Sequence, residues 1–130
     1  MGHPVLNSKP NPLYVKCMLY YLYISVAEQE LIALRRFDAG DQLGRAARAV
    51  MNNISEAQSA ESRRDFIHRL KAAHRELNEA SSMLYAERRH SSVLQEYGDL
   101  IEDLGFEIAR LIAASIATTH RNMARERRSH

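Results

Sequence analysis

Glu87 and His90 stand three residues apart, the spacing at which a helix offers a carboxylate and an imidazole to one metal ion. A di-iron carboxylate centre in a helical bundle needs that pair on each of two helices and a further Glu on each of two more. Glu87-Arg88-Arg89-His90 is the one match in the chain, and the two cations inside it would repel a metal. His68 and His74 are six apart and so fall on different faces of a helix, whereas a zinc pair needs three or four. Glu96, Asp99, Glu102, Asp103 and Glu107 gather acids early in one segment, and Arg121, Arg125, Arg127 and Arg128 gather cations late in it. Both runs complement a helix macrodipole, which accounts for them without a cation site. Phosphate-loop and dinucleotide glycine patterns are absent, and no nucleophile has a recognisable base. The expectation is a protein that is not an enzyme and carries no metal or other cofactor.

Arginine is the remaining chemistry. Fifteen Arg stand against three Lys, although the formal net charge is only +2. The planar guanidinium suits phosphate and carboxylate. Arg64, His68, Lys71 and Arg75 repeat at 4-3-4 and form one stripe on a helix. Arg45, Arg48 and Asn52 make a shorter stripe on the preceding one. Such stripes can follow a phosphate backbone, each neutralised phosphate releasing counterions. The plainer reading is a solvated helix face with local ion pairs such as Asp65–Arg69. The nucleic-acid reading names Arg45, Arg48, Arg64, His68, Lys71, Arg75, Arg121 and Arg125 as contacts, and expects little base readout because no aromatic side chain interleaves with these cations.

The elements that must carry these residues are helices. At 130 residues the chain is one domain's worth, and an apolar share of 45% with a charged share of 26% is ordinary for a globular protein. Pro4, Pro10 and Pro12 all fall before residue 13, so nothing later forces a helix to break. Cys17, the single cysteine, rules out an internal disulfide and reads as a small buried hydrophobe. The start of the chain lacks signal-peptide order, and the apolar run 17–27 is too short to span a bilayer, so a cytoplasmic location without membrane contact is expected.

The first helix is predicted over residues 13–37, with a seam of Cys17, Tyr20, Ile24, Ala27, Leu31 and Leu34. Asp38-Ala39-Gly40-Asp41 should end it, Gly40 taking a left-handed stop and Asp41 the next cap. The second, over 42–58, runs on Leu43, Ala47, Val50, Ile54 and Ala57. Ser62-Arg63-Arg64-Asp65 opens the third, on Phe66, Leu70, Ala73, Leu77, Ala80 and Leu84. Ser92 to Gln95 reads as the capping box of the fourth, which follows Leu94, Tyr97, Ile101, Leu104, Ile108, Leu111 and Ser115 towards Arg125. Short polar turns between amphipathic helices imply an all-α, antiparallel, up-down-up-down four-helix bundle over 13–125. Residues 1–12 should be a flexible N-terminal segment and 126–130 a flexible basic tail.

The segment 43–84 resembles the four-helix-bundle family of proteins encoded in 23S rRNA intervening sequences. The resemblance rests on Arg45-Ala46-Ala47, Val50, Asn53-Ile54-Ser55-Glu56-Ala57 and the helix start Ser62-Arg63-Arg64-Asp65-Phe66-Ile67, with Glu79 matching a later family Glu. Ala57 replaces a family Gly, and Arg75-Glu76 replaces a Gly-Ser pair. The same fold family includes the accessory variability proteins of diversity-generating retroelements. Resemblance to that branch implies a homopentameric barrel that binds RNA or DNA and a reverse transcriptase. The added Arg75 fits a phosphate-binding role and tilts the reading towards it.

Oligomerisation is also expected on physical grounds. Met18, Leu19, Tyr21, Leu22 and Tyr23 make the first helix apolar on nearly every face, more than a monomer usually exposes. Met18, Tyr21 and Leu22 are the interface candidates. The leading expectation is a non-enzymatic homo-oligomeric nucleic-acid scaffold, the accessory subunit of a retroelement reverse transcriptase. The rival is a structural protein-interaction bundle of the intervening-sequence type with no nucleic-acid role.

Overall fold

A computed structural model of the chain describes residues 11–129, which form four helices with no strand. They are α1 (Pro12–Ala33), α2 (Phe37–Gln58), α3 (Arg63–Glu87) and α4 (Ser92–Ser129), with a single 3₁₀ turn at Arg88–His90. Connections of three or four residues force consecutive helices antiparallel. Each helix packs on its sequence neighbours and α4 closes back onto α1, so the bundle is the expected up-down-up-down square.

Asn11 starts α1: its side-chain oxygen accepts from the Leu13 N–H at 2.9 Å, and Pro12 occupies the first turn, where its missing donor costs nothing. Helix thus reaches one residue into the segment expected to be loose; residues 1–10 lie outside the described residues. Leu13, Cys17, Tyr20, Ile24, Ala27 and Leu31 are buried at 4-3-4-3-4 spacing, while Leu34, the expected end of the seam, is 52% exposed.

The α1–α2 turn differs from expectation. Arg35, not Gly40, takes the left-handed conformation, with φ of 62°, and it ends α1 three residues after Ile32, whose carbonyl accepts its N–H. α2 then begins at Phe37, and Gly40 sits buried inside its first turns. A Cβ there would lie 3.1 Å from Ile32 Cγ1 and 3.2 Å from the Glu28 carbonyl oxygen. Gly40 is a close-approach residue between α1 and α2, a role that local sequence cannot distinguish from a helix stop. One turn on, the Glu28 carboxylate folds over Gly44 and reaches Arg48 at 3.3 Å.

Ser62 caps α3 as expected, its hydroxyl accepting from Asp65 N–H at 3.0 Å. The cap of α4 is Ser91 rather than Ser92: Ser91 Oγ is buried and accepts from Leu94 N–H at 3.1 Å. Ser92 instead donates to the Glu30 carboxylate, which also accepts from Val93 N–H at 3.3 Å. A side chain of α1 therefore places negative charge on the N-terminus of α4, where the macrodipole favours it. α4 runs to Ser129, so residues 126–129, expected as a loose tail, are helical. Its last buried residue is Ile112; the seam is Leu94, Gly98, Ile101, Leu104, Gly105, Ile108 and Ile112, and Tyr97 turns outward to pack on Tyr23, with ring centres 5.8 Å apart and planes tilted by 40°.

Candidate nucleic-acid interface

α3 opens with cations and α4 closes with them. Because the two helices run antiparallel, the first half of α3 lies beside the second half of α4. Arg63 Nη2 meets Glu126 Oε1 at 2.6 Å, fixing that register. Two basic segments some fifty residues apart in sequence are thereby joined at one end of the bundle. Most acids of α4's first half lie towards the other end, where Asp99 pairs with Arg88 at 2.9 Å, while Glu107, midway along α4, meets Lys16 near the start of α1 at 2.5 Å. The charge of a nearly neutral chain is polarised along its length.

Of the expected contacts, Arg64, His68, Lys71 and Arg75 are all exposed on one face of α3. Arg121 and Arg125 are exposed on α4, and Arg121 donates to Thr118 Oγ1 at 3.0 Å. Among the described residues none of these six makes an ion pair. Arg45 and Arg48 are placed differently. Arg45 reaches Glu79 on α3 at 3.2 Å, and Arg48 reaches Glu28 on α1, so they face different neighbours and their charges are matched. The structure does not bring them to the basic end.

Between α3 and α4 at that end runs an open groove of ≈ 610 Å³. Its rim carries Lys71, His74 and Arg75 from α3 and His120 from α4, over a floor of apolar residues from α4. His74 and His120 were not among the expected contacts. His74 shares a side of α3 with Lys71, three residues earlier, a signal the sequence held; His120 joins them only through the helix pairing.

The expected interface residues of α1 divide. Met18 and Leu22 are 39% and 52% exposed, and Val15, Leu19 and Val26 extend them into an apolar stripe down the outer face. Tyr21 is only half-exposed and packs against the core.

The Glu87–His90 pair has another use. Arg36 donates to both Glu87 oxygens, at 2.7 and 3.2 Å, and this hydrogen bonding holds the carboxyl below its usual range against the opposing effect of burial. His90 Nε2 accepts from Arg89 Nε at 3.1 Å. Among the described residues no three His, Cys, Asp or Glu side chains cluster as metal ligands. No helix among them is long and apolar enough to cross a membrane. Cys17 is sealed in the core, where burial pushes its thiol up to about 12.

The fold and this site define an antiparallel four-helix bundle with one basic end. The model of the 23S rRNA-intervening sequence protein family matches residues 11–114, and the chain belongs to that family. It is similar, at 28% identity and a TM-score of 0.73, to the crystal structure of a protein of unknown function from the S23 ribosomal protein family of Bacteroides thetaiotaomicron. That similarity covers 80% of this chain and 97% of the other. No curated protein matches the chain.

Proposed function

We propose that the protein is a non-enzymatic, homo-oligomeric nucleic-acid-binding scaffold, the accessory subunit of a diversity-generating retroelement reverse transcriptase. The observation that carries the nucleic-acid part is that Arg64, Lys71 and Arg75 on α3 and Arg121 and Arg125 on α4 are exposed in the segments that the Arg63–Glu126 pair sets side by side, none of them neutralised by a carboxylate among the described residues. Cations left unpaired on one end of a bundle favour a polyanion. The apolar stripe of α1 supports a second copy as its cover, and a closed ring of copies, five by family resemblance, would repeat the basic end around its circumference. Repetition turns individually weak phosphate contacts into tight binding.

Charge reversal of Arg64 and Arg75 together tests the reading. Gel shift with structured RNA and single-stranded DNA should show binding by the parent at low salt, steep loss as salt rises, and no binding by the double variant of unchanged helicity. Arg45→Glu should bind like the parent, because Glu79 already neutralises Arg45. A parent that shifts no nucleic acid ends the proposal.

The second reading, a protein-interaction bundle with no nucleic-acid role, is favoured by the same α1 stripe if its cover is another protein. A neighbouring reverse-transcriptase gene with template and variable repeats decides for the first reading; a 23S rRNA insertion around the gene decides for the second.

A further inference from the structure

We propose that the groove between α3 and α4 seats one unstacked base of a single-stranded nucleic acid, with the flanking phosphates on Lys71 and Arg75. This rests on the nucleic-acid reading and specifies what form of nucleic acid is bound. The floor is Ile112, Ala113, Ile116 and Ala117. Two exposed alanines leave it low and flat, with apolar area that an elongated phosphate chain would have no use for. His74 and His120, one from each helix, line it as well, together with Lys71 and Arg75. Among the described residues no carboxylate lines the groove, so a cationic or neutral ligand would leave its charges unanswered.

A nucleotide satisfies all of these at once. Its base is a flat π-surface that packs on aliphatic or imidazole faces, and its phosphates pair with Lys and Arg. The ≈ 610 Å³ of space falls within the ordinary range of small-ligand sites. The floor spans residues 112–117, about 8 Å of helix at its standard rise. That length takes one base and its sugar, and is short of the two turns over which a docked helix sets its anchors. A base inside a duplex is stacked on both faces and cannot reach the floor. Arg64 and His68 along α3, and Arg121 and Arg125 along α4, continue the cationic edge on which the strand would run.

The test uses the full chain and fluorescence anisotropy with labelled strands of one length: single-stranded RNA, single-stranded DNA, the DNA duplex, and a DNA strand with abasic sugars in place of its bases. Intact single strands should bind about tenfold or more tighter than the abasic strand or the duplex; RNA against DNA shows whether the sugar is also read. Ala113→Leu with Ala117→Leu fills the groove from exposed helix positions. It should bring intact strands down to the abasic level and leave abasic binding and helicity unchanged. His120→Phe should keep the preference for bases and His120→Ala should lose it. Equal binding of abasic and intact strands, or full single-strand affinity in the filled variant, overturns the base seat while leaving the electrostatic reading in place. Absence of binding to every strand overturns both. A filled variant that keeps its strand affinity but loses an acidic amphipathic peptide bound by the parent assigns the groove to a protein partner instead.

Discussion

Arg36 grips both oxygens of Glu87, at 2.7 and 3.2 Å, and so ties the α1–α2 turn to the far end of α3. Fifty-one residues separate the two in sequence. The Glu side chain is nearly enclosed, with 11% of its surface exposed, so its charge is stabilised by this one cation more than by water.

The pair makes stability depend on acidity in a definite direction. Glu87's pKa is lowered on folding, by the Arg36 hydrogen bonds foremost. Its contribution is therefore fully present above the unfolded value, about 4.3, and is lost as pH falls through the folded value. Glu87→Gln should melt lower than the parent by about 2–5 °C at neutral pH, and the gap should close in acid. Thermal melts by circular dichroism across pH check this. Iron, manganese or zinc should move neither curve, and a metal-induced shift of several degrees would revive Glu87 and His90 as ligands.

The turn between α1 and α2 holds two opposite backbone demands. Arg35 sits at φ of 62°, where an L side chain is strained, so Arg35→Gly should stabilise by about 0.5–1 kcal/mol. Gly40 needs no special φ but has backbone of α1 at its Cβ position. Gly40→Leu should cost about 1–3 kcal/mol as the helices are forced apart. Urea unfolding measures both, and a harmless Gly40→Leu would contradict the close approach.

Leu22→Glu or Val26→Glu should convert an oligomer into monomers of 14.9 kDa with helicity retained, because both residues lie in the exposed apolar stripe of α1. Tyr21→Glu should instead lower stability, since Tyr21 packs against the core. Light scattering with size exclusion separates the two effects. A parent that is already monomeric at micromolar concentration leaves the stripe without a second copy to cover it.

Cys17 should resist alkylation in the native protein near pH 8. Its thiol is buried and pushed up to about 12, so almost no thiolate is present and little reagent can reach it. Iodoacetamide labelling followed by mass spectrometry should show one fast modification only after denaturation. Fast labelling of the folded chain would mean that α1 opens readily at that point.

Hydrophobic period located the buried face of α2 in full, but on α3 and α4 Ile67 and Ile112 are buried where Phe66 and Leu111 were expected. Leu43, Ala47, Val50, Ile54 and Ala57 on α2 are buried as their spacing demands, because a helix repeats its core face wherever apolar residues recur at 3-4. Ser62 as a cap was legible for a similar reason: it acts within three residues of itself. The same local signals failed at Gly40 and at Ser91 and Ser92. A glycine suits a helix stop and a close approach equally, and two adjacent serines suit the cap equally; only the packing of α1 against α2, and Glu30 against Ser92, separates the alternatives.

The cations followed the same division. Which arginines share a helix face follows from 3.6 residues per turn and was legible before any packing. Which carboxylates would reach them from other helices was left open. Arg45 and Arg48 meet Glu79 and Glu28, while Arg64, Lys71 and Arg75 meet none among the described residues. The pairing of α3 with α4 decided the rest, setting His120 beside Lys71, His74 and Arg75 over one groove. Faces and caps are properties of a few neighbouring residues, whereas a site shared by two helices depends on the register and direction in which they pack, and that register is set by the whole core.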